Sequence, residues 1–312
     1  MSSRQARFRA MGTDCHVIVD ARADVVDDLL DLAALRVELL EQSWSRFRPD
    51  SELSRLNERC GNGPVAVSAD LLLLVDEMMQ AWLLTEGLFD PTVLAAVQEA
   101  GYDADFSEVS ARPASAWLDI ALRAVPGMAG VVVNHAASTV RLPAGVRLDP
   151  GAIGKGLAAD LVARELRGAG ATGVLVNLGG DLSISGTTKR AWAIDVEDER
   201  RDPTDPRRVL QTIRFPSGTD QVGVATSTVL KRRWAQGRRH HVIDPRTGLP
   251  STGRIVQATV VATSASRAEV LATASLLLPA ELAPAWLAEH GAEGIVLTAD
   301  NTHLEHAEAR HG

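Results

Sequence analysis

A glycine-rich turn that opens a helical segment is the feature of this 312-residue chain that most constrains its fold. Residues 148–156 read LDPGAIGKG, with Lys155 as the only basic residue among three glycines. Apolar residues then recur at helical spacing over 157–166, and glycines follow them. The run Val174–Leu178 has the composition of a buried strand. The sequence therefore predicts turn, helix, strand and a second glycine turn in succession.

The glycines of this turn have two explanations. In the first, they let a phosphate approach main-chain N–H groups at the positive end of the helix dipole, and Lys155 adds a full charge. The motif is not a P-loop, because Lys155 is followed by Gly156 instead of Ser or Thr, and it is not G-x-G-x-x-G. In the second, this is an ordinary strand–helix turn, and the segment alone leaves both explanations open.

Composition excludes several classes of protein. Hydrophobic residues at 46% and charged residues at 23% are ordinary for a globular domain. The formal charge of −8 argues against a general nucleic-acid binder, whose domains are usually basic. No apolar run is long enough to span a bilayer, and the first residues contain no apolar core of a signal peptide. We therefore predict a cytoplasmic protein without a membrane span and without a nucleic-acid partner.

Strand-like and helix-like segments alternate with hairpin signals, which predicts an α+β fold of mixed sheets with flanking helices. We expect one domain over residues 1–312, with two α/β lobes as the alternative organisation. Residues 8–19 are predicted as one strand that contains Met11-Gly12, and the basic segment 230–241 as a hairpin that turns at Ala235–Gly237. The polar tail 303–312 is predicted to fray, in preference to using its histidines for a metal.

The residues that could carry chemistry suggest a hypothesis when they are taken together. Four of them offer hard oxygen ligands of the kind Mg²⁺ prefers, namely Asp149, Asp181, Glu269 and Thr273. Glu269 and Thr273 are four residues apart on one predicted helix and so share a face. His241 is a candidate proton acceptor, because an unperturbed histidine side chain titrates near neutrality. The hypothesis is Mg²⁺-assisted chemistry on a phosphoanhydride, although each residue alone also has a purely structural explanation.

Two short aromatic or acidic motifs have such structural explanations. Phe47 lies in the polar-aromatic loop Trp44–Ser51, where anchoring of the loop is the favoured interpretation from these residues alone. Asp90-Pro91-Thr92 can be explained by the ordinary chemistry of helix entry. For both motifs, the sequence leaves the choice between a structural and a functional role open.

The motifs together resemble those of the ApbE-type flavin transferases, which are FAD:protein FMN transferases. The resemblance extends in order over about residues 8–280. The matching segments are Met11–Thr13, Trp44–Asn57, Leu88–Thr92, Leu148–Asp160, Val176–Asp181, Ala225–Ser227, His241–Gly248 and Ala268–Ala274.

The resemblance implies an ApbE/T-fold-like architecture with FAD bound in a cleft between two lobes. It also implies Mg²⁺ at the pyrophosphate of FAD, and attack by a threonine hydroxyl of an acceptor flavoprotein with a Thr (or Ser) flavinylation motif. AMP leaves and FMN stays on the acceptor. By resemblance, the contacts to FAD are Met11, Phe47, Leu88, Phe89, Asp90, Asp149, Lys155, Asn177, Asp181 and Ile243. The Mg²⁺ ligands are the main-chain carbonyl of Ala152 with Glu269 and Thr273, and His241 is the base.

This chain departs from the family's pattern at two positions. Glu269 stands where the family usually has Asp, so its carboxylate extends about one bond further, and Mg²⁺ demands near-ideal octahedral geometry. Thr228 stands where Gly is common, which is expected to narrow the cleft. Neither departure removes a type of ligand.

Two further functions use the same residues. A Mg²⁺-dependent FAD pyrophosphatase would give free FMN and AMP, with water in place of the acceptor hydroxyl. A non-catalytic FAD-binding protein is the alternative that Glu269 favours. The basic segment is expected to lie along the phosphates of FAD or an acidic motif of the acceptor, rather than to bind nucleic acid.

Overall fold

The computed structural model describes residues 1–112, 124–300 and 302–306. The chain divides into two compact units. Unit 1 comprises residues 1–38, 155–230 and 253–312, and unit 2 comprises residues 39–154 and 231–252. Each unit is therefore built from segments that are far apart in the sequence. Within the described ranges, no helix is long and apolar enough to cross a membrane.

Helices and strands alternate along the chain. The helices are α1 (Val26–Trp44), α2 (Glu52–Glu58), α3 (Ala69–Leu84), α4 (Leu94–Glu99), α5 (Phe106–Ser110), α6 (Gly154–Gly168), α7 (Ala265–Ser275) and α8 (Ala283–Glu289). The strands are β1 (Ser2–Ala10), β2 (Thr13–Ala21), β3 (Val65–Ala66), β4 (Val132–Asn134), β5 (Thr139–Arg141), β6 (Gly173–Leu178), β7 (Asp181–Gly186), β8 (Trp192–Glu197), β9 (Val209–Phe215), β10 (Thr219–Thr228), β11 (Arg233–Trp234), β12 (Arg239–His240), β13 (Ile243–Asp244), β14 (Leu249–Pro250), β15 (Ile255–Ala262), β16 (Glu293–Thr298) and β17 (His303–His306).

Unit 1 contains an eight-stranded sheet in the order β1-β2-β6-β7-β10-β15-β16-β17, and every neighbouring pair is antiparallel. The helix α7 packs against β10 and β15 of this sheet. Its alanines, Val270 and Leu271 are buried, which allows close contact between helix and sheet. The prediction of an α+β fold in which helices flank sheets is confirmed.

The prediction of one strand over residues 8–19 is wrong. Strand β1 ends at Ala10, strand β2 begins at Thr13, and these two residues face each other across a two-residue hairpin turn. The turn residues Met11 and Gly12 have φ of 52° and 67°. A pair of positive φ angles matches the twist of paired strands, so the alternating pattern continues through a reversal of the chain.

The prediction of a frayed tail is wrong for its first residues. His303–His306 forms β17, which pairs antiparallel with β16 and completes that edge of the sheet. The side chain of His303 contacts Glu305 at 2.6 Å. Main-chain pairing with the sheet therefore orders a polar segment that its composition alone would not. The remaining tail, 307–312, lies outside the described residues.

Unit 2 is built from short helices and small sheets around a separate hydrophobic cluster. The buried members of this cluster are Val97, Ala100, Tyr102, Val109, Trp234 and Ile243. Strands β11 and β12 form the predicted basic hairpin, with residues 235–237 as its turn. That prediction is confirmed. The indole N–H of Trp234 donates to the carbonyl of Ala100 at 2.8 Å, which fixes the hairpin to the core of the unit.

Candidate functional site

A half-buried lysine joins two buried carboxylates in unit 1. The Nζ of Lys155, in the first turn of α6, lies 2.6 Å from Asp181 and 2.5 Å from Glu269. Asp181 is the first residue of β7, and Glu269 lies in the middle of α7. The second oxygen of Glu269 accepts from the main-chain N–H of Gly156 at 2.7 Å. Three segments of the chain therefore meet at one ammonium group.

The charges of this cluster do not cancel. Burial opposes protonation of Lys155, but the charges of Asp181 and Glu269 outweigh it and raise the pKa of Lys155 above its ordinary value. The side chains of Asp181 and Glu269 are only 4% and 2% exposed. Among the described contacts of the cluster, one ammonium group faces two buried carboxylates in a region that screens charge poorly. The arrangement favours a further cation.

The position of α7 depends on close contacts at its first turn. A Cβ atom at Gly156 would lie 2.4 Å from the carbonyl oxygen of Ala265, and one at Gly223 would lie 2.1 Å from the nitrogen of that residue. Asp160 of α6 accepts from the N–H groups of Ala265 and Ser266 at 3.0 and 2.9 Å. Two glycines therefore admit the helix, and one carboxylate caps it, which places Glu269 opposite Lys155.

Thr273 lies one helical turn after Glu269, as the spacing predicts. Its hydroxyl is 2.7 Å from the hydroxyl of Ser227 on β10. Thr228 follows Ser227 on β10. Its hydroxyl accepts from the N–H of Leu230 at 3.0 Å and donates to the carbonyl of Val256 at 2.9 Å. Thr228 therefore shapes the end of the strand through main-chain contacts.

The glycine-rich turn is bonded internally. The N–H of Gly151 donates to Asp149 at 2.8 Å, and that of Gly154 donates to the carbonyl of Pro150 at 2.8 Å. The N–H of Gly156 donates to Glu269. These contacts, with the close approach of Ala265 to Gly156, support the structural explanation of the glycines over an open phosphate cradle.

Two of the predicted FAD contacts in unit 1 lie in or beside hairpin turns. The side-chain oxygen of Asn177 accepts from the N–H of Gly180 at 2.8 Å and so closes the turn between β6 and β7. Gly179, in that turn, donates its N–H to the carbonyl of Asp14 at 3.1 Å, so this turn adjoins the start of β2. Met11 lies in the turn just before β2. The two turns therefore lie at the same end of the sheet.

In unit 2, Asp149 is paired with an arginine. The Nε of Arg46 lies 3.3 Å from one oxygen of Asp149, and both side chains are buried. The guanidinium also lies 4.0 Å from the ring centre of Phe47 and 4.6 Å from that of Tyr102. It donates to the carbonyl oxygen of Tyr102 at 3.0 Å. Arg46 thus connects two predicted FAD contacts, Phe47 and Asp149.

Phe47 does not behave as a buried anchor. Its ring centre lies 5.6 Å from that of Tyr102, and the residue is still 42% exposed. A residue that only anchors a loop is usually buried, whereas this ring is supported from one side and open to solvent. A supported, exposed aromatic ring suits the stacking of a planar ligand.

The segment Leu88–Asp90 is held mainly by local contacts. Phe89 is buried, and its N–H donates to the hydroxyl of Thr85 at 3.0 Å. Asp90 accepts from the N–H of Thr92 at 2.8 Å and from its hydroxyl at 2.6 Å. Burial raises the pKa of Asp90. These contacts are those of helix entry, the structural explanation considered from the sequence.

The two adjacent histidines have different surroundings. Nε2 of His240 is 2.9 Å from the carbonyl oxygen of Ser251, and Nδ1 accepts from the N–H of Val242 at 3.3 Å. Burial lowers the pKa of His240, and this pair of contacts fits a neutral ring that is protonated on Nε2. His240 therefore has a structural role, which leaves His241 as the candidate base. Ile243, two residues later, is part of the hydrophobic cluster.

Ala152 has an unusual backbone. Its φ of 69° lies in the left-handed region, which costs a non-glycine residue of order 1 kcal/mol or more. Such an outlier supports a functional hypothesis for its carbonyl. In the described parts of the chain, no three His, Cys, Asp or Glu residues are grouped to hold a metal. The predicted Mg²⁺ ligands would not form such a group. Only Glu269 among them is an acidic residue, and the other two ligands are a main-chain carbonyl and a hydroxyl.

Comparison with known proteins agrees with this fold. The profile of the ApbE family matches residues 11–296. The chain belongs to the ApbE family. The FAD:protein FMN transferase of Vibrio cholerae is 31% identical over 252 residues, which cover 78% of this chain and 72% of that protein. The enzyme of the same name from Treponema pallidum is 30% identical over 89% of this chain and 80% of its own length.

A solved structure shows the same fold. The ApbE protein of Thermotoga maritima superposes with a TM-score of 0.82, covers 97% of both chains and is 24% identical. The predictions of an ApbE-type family member and of a transferase are confirmed. The individual site residues, the Mg²⁺ ligands and the cleft between lobes stay predictions.

Sequence reasoning missed two residues that contact the predicted ones, and one that positions the helix carrying Glu269. The first two are Arg46 and Ser227, and the third is Asp160. All three lie within segments that resemble the family, namely Trp44–Asn57, Leu148–Asp160 and Ala225–Ser227. Only the tertiary contacts of these three side chains indicate their importance.

Proposed function

We propose that this protein transfers FMN from FAD to a threonine hydroxyl of an acceptor flavoprotein, with Mg²⁺ as the metal and AMP as the leaving product. The observation that carries the proposal is the buried Lys155–Asp181–Glu269 cluster in a chain of the ApbE family. The names of the curated relatives support the choice of FAD as donor and of a protein as acceptor.

The donor set in unit 1 fits a hard divalent cation. Glu269 and Thr273 would hold Mg²⁺ with oxygen atoms, and Ser227 would orient the hydroxyl of Thr273. The excess negative charge of the cluster favours a cation there. Glu269 can bind a cation while Gly156 still donates to it, because each carboxylate oxygen has two lone pairs. The main-chain carbonyl of Ala152 remains a proposed third ligand.

Bound Mg²⁺ would neutralise charge on the phosphoanhydride and polarise the phosphorus that is attacked. Lys155 would serve the same anion with its ammonium group, which stays protonated because its pKa is raised. Phe47, supported by Arg46 and Tyr102, would offer its open side to the flavin ring. The other FAD contacts inferred from the resemblance belong to the same proposal.

His241 would accept the proton of the threonine hydroxyl. General-base help is typically worth ~10²–10⁴-fold in rate. We expect His241→Asn to slow turnover by a factor in that range and to leave FAD affinity unchanged. The matched control is His135→Asn, which alters an exposed histidine. Loss of FAD binding in His241→Asn would remove the catalytic role of this residue.

The test of the function is incubation of the purified protein with FAD and Mg²⁺, with and without a threonine-containing flavin-acceptor domain. AMP and the mass of the acceptor are measured together. AMP with an added FMN mass on the acceptor supports the transferase. AMP and free FMN without an acceptor indicate a pyrophosphatase, and unchanged FAD in both samples indicates a flavin-binding protein.

A further inference from the structure

Unit 2 carries a strongly basic hairpin, defined here as residues 231–240. It contains five cationic side chains, Lys231, Arg232, Arg233, Arg238 and Arg239, and no acidic residue occurs from 231 to 243. The whole chain, in contrast, has a formal charge of −8. Lys231, Arg233 and Arg238 are exposed, and the other two are half-buried. The basic hairpin is thus a local reversal of the protein's charge.

The basic hairpin is held in one conformation. Arg233 pairs with His240 and Trp234 with Arg239 across the two strands. Trp234 is only 3% exposed, and its indole N–H is bonded to the carbonyl of Ala100. The ring of His240 contacts Ser251 and Val242. Because the buried contacts of Trp234 and His240 hold the backbone of the hairpin, a partner can bind the cationic side chains with little loss of backbone entropy.

The guanidinium groups at the turn contact neutral oxygens. Arg233 donates to the carbonyl oxygen of Gly237 at 2.6 Å, and Arg238 donates to the amide oxygen of Gln236 at 3.3 Å. These contacts orient the side chains but do not cancel their charge. Asp105, whose pKa is lowered mainly by Ser107 and in part by Arg232, is a carboxylate close to Arg232 of the hairpin. Arg233 and Arg238, which are exposed and whose described contacts are with neutral oxygens, present their charge to a partner.

The position of the basic hairpin in the chain connects it with the proposed reaction. His241 follows β12 directly, so the proposed base continues from the second strand of the hairpin. An acceptor hydroxyl must come within hydrogen-bond distance of the base. Residues next to the acceptor threonine must then pass within a few side-chain lengths of the hairpin, since a chain advances only about 3.3 Å per residue.

We propose that the basic hairpin docks an acidic segment of the acceptor flavoprotein, beside the threonine that receives FMN. The inference rests on the proposed function, because it takes His241 as the base. Complementary charge across such a contact increases the rate of encounter and selects the partner. Nucleic acid is a poorer fit, because the hairpin's single aromatic side chain, Trp234, is buried and offers no surface on which bases stack.

The test compares two synthetic peptides that share a central threonine. In one peptide the flanking residues are Asp and Glu, and in the other they are Asn and Gln. The protein variant is Arg233→Gln/Arg238→Gln, which removes two charges at the exposed turn. The matched control is Arg190→Gln/Arg214→Gln, which removes two exposed arginines of unit 1. Peptide binding is measured by fluorescence anisotropy, FMN transfer by mass spectrometry, and FAD affinity by titration.

We expect the unaltered protein and the control to prefer the acidic peptide, and added salt to remove the preference. In the hairpin variant, the affinity for the acidic peptide should fall about tenfold, while the affinities for the neutral peptide and for FAD stay unchanged. Equal binding of both peptides by the unaltered protein would overturn the inference. So would a variant that weakens FAD binding instead, because the hairpin would then serve the phosphates of FAD.

The two hypotheses can fail separately in this design. Selective binding of the acidic peptide without FMN transfer to any acceptor would support the docking surface and contradict the proposed function. FMN transfer that ignores the charges of the peptide would support the function and contradict the docking surface. An RNA oligonucleotide that displaces the acidic peptide at equal concentration would also overturn the assignment of a protein partner.

Discussion

Each unit pairs one cation with buried carboxylate, and the two arrangements differ. In unit 1, Lys155 lies between two carboxylates, Asp181 and Glu269, at 2.6 and 2.5 Å. In unit 2, Arg46 meets one carboxylate, Asp149, at 3.3 Å, and its other contacts within the described residues are two aromatic rings and a carbonyl oxygen. In the first arrangement, one ammonium group faces two carboxylates, so the three charges sum to a negative value. The second is an arrangement of planar groups around one ion pair.

The comparison shows which property of the cationic side chain matters in each unit. An ammonium is a compact point charge whose place between carboxylates a metal ion could share or take over. A guanidinium is planar and combines hydrogen bonds with stacking, so it also fixes the orientation of a neighbouring ring. We therefore expect unit 1 to respond chiefly to changes of charge, and the Arg46 cluster to changes of shape even when charge is kept.

The largest expected effect comes from Lys155→Met. The substitution leaves two buried carboxylates without their ammonium group, and losing one partner of a buried ion pair costs about 3–5 kcal/mol. Urea unfolding measures this loss of stability. Under the proposed function, Mg²⁺ should restore part of the loss in the variant and stabilise the unaltered protein less, because it replaces the missing cation.

The control for this substitution is Lys189→Met, which removes an exposed lysine of the same unit. Its unfolding free energy should stay within about 0.5 kcal/mol of that of the unaltered protein. Equal stabilities of Lys155→Met and Lys189→Met would show that the cluster is not held by charge, and the contrast between the two units would fail.

A smaller effect is expected from Arg46→Lys, which keeps the charge and loses the planar contacts. Stacking over desolvated rings is worth up to about 2 kcal/mol, so we expect a loss of about 1–2 kcal/mol in urea unfolding. FAD affinity should fall as well, because Phe47 loses its support. Arg55→Lys, at an exposed position of α2, is the control and should change neither quantity. If neither stability nor FAD affinity changed in Arg46→Lys, charge alone would explain the Arg46 cluster, as it is expected to explain the cluster in unit 1.

The smallest effect concerns His240 and pH. Its pKa in the folded protein is lowered from 6.5 by burial, so below that value the unfolded chain binds a proton that the folded chain refuses. Stability contributed by the neutral ring is thus complete above pH 6.5 and is lost as the pH falls through the window beneath it. The loss is at most about 1.4 kcal/mol per pH unit.

We expect the unfolding free energy of His240→Gln to change less with pH than that of the unaltered protein. Urea unfolding at a series of values from about pH 7.5 to about pH 5.5 measures this difference. His16, whose pKa is also lowered by burial, is present in both proteins and cancels in the comparison. Identical pH profiles would contradict the assignment of a neutral, structural ring to His240.

Local patterns predicted much of the secondary structure. Apolar spacing gave α6, the turn residues gave the basic hairpin, and the spacing of Glu269 and Thr273 placed both on one helix. The same patterns failed where strands reverse or pair at the edge of a sheet. Met11-Gly12 continues an alternating pattern through a turn, and His303–His306 is ordered by its neighbour β16 instead of by its own composition.

The sequence by itself determined which chemical groups are available and the family to which the chain belongs. It could not determine that Lys155 meets Glu269, 114 residues away, or that Arg46 meets Asp149. Charge pairing acts over a few ångströms in space and leaves no periodic pattern along the chain. The tertiary structure decided these pairings through backbone contacts, above all the approach of α7 to Gly156 and Gly223, where any side chain would collide with the helix.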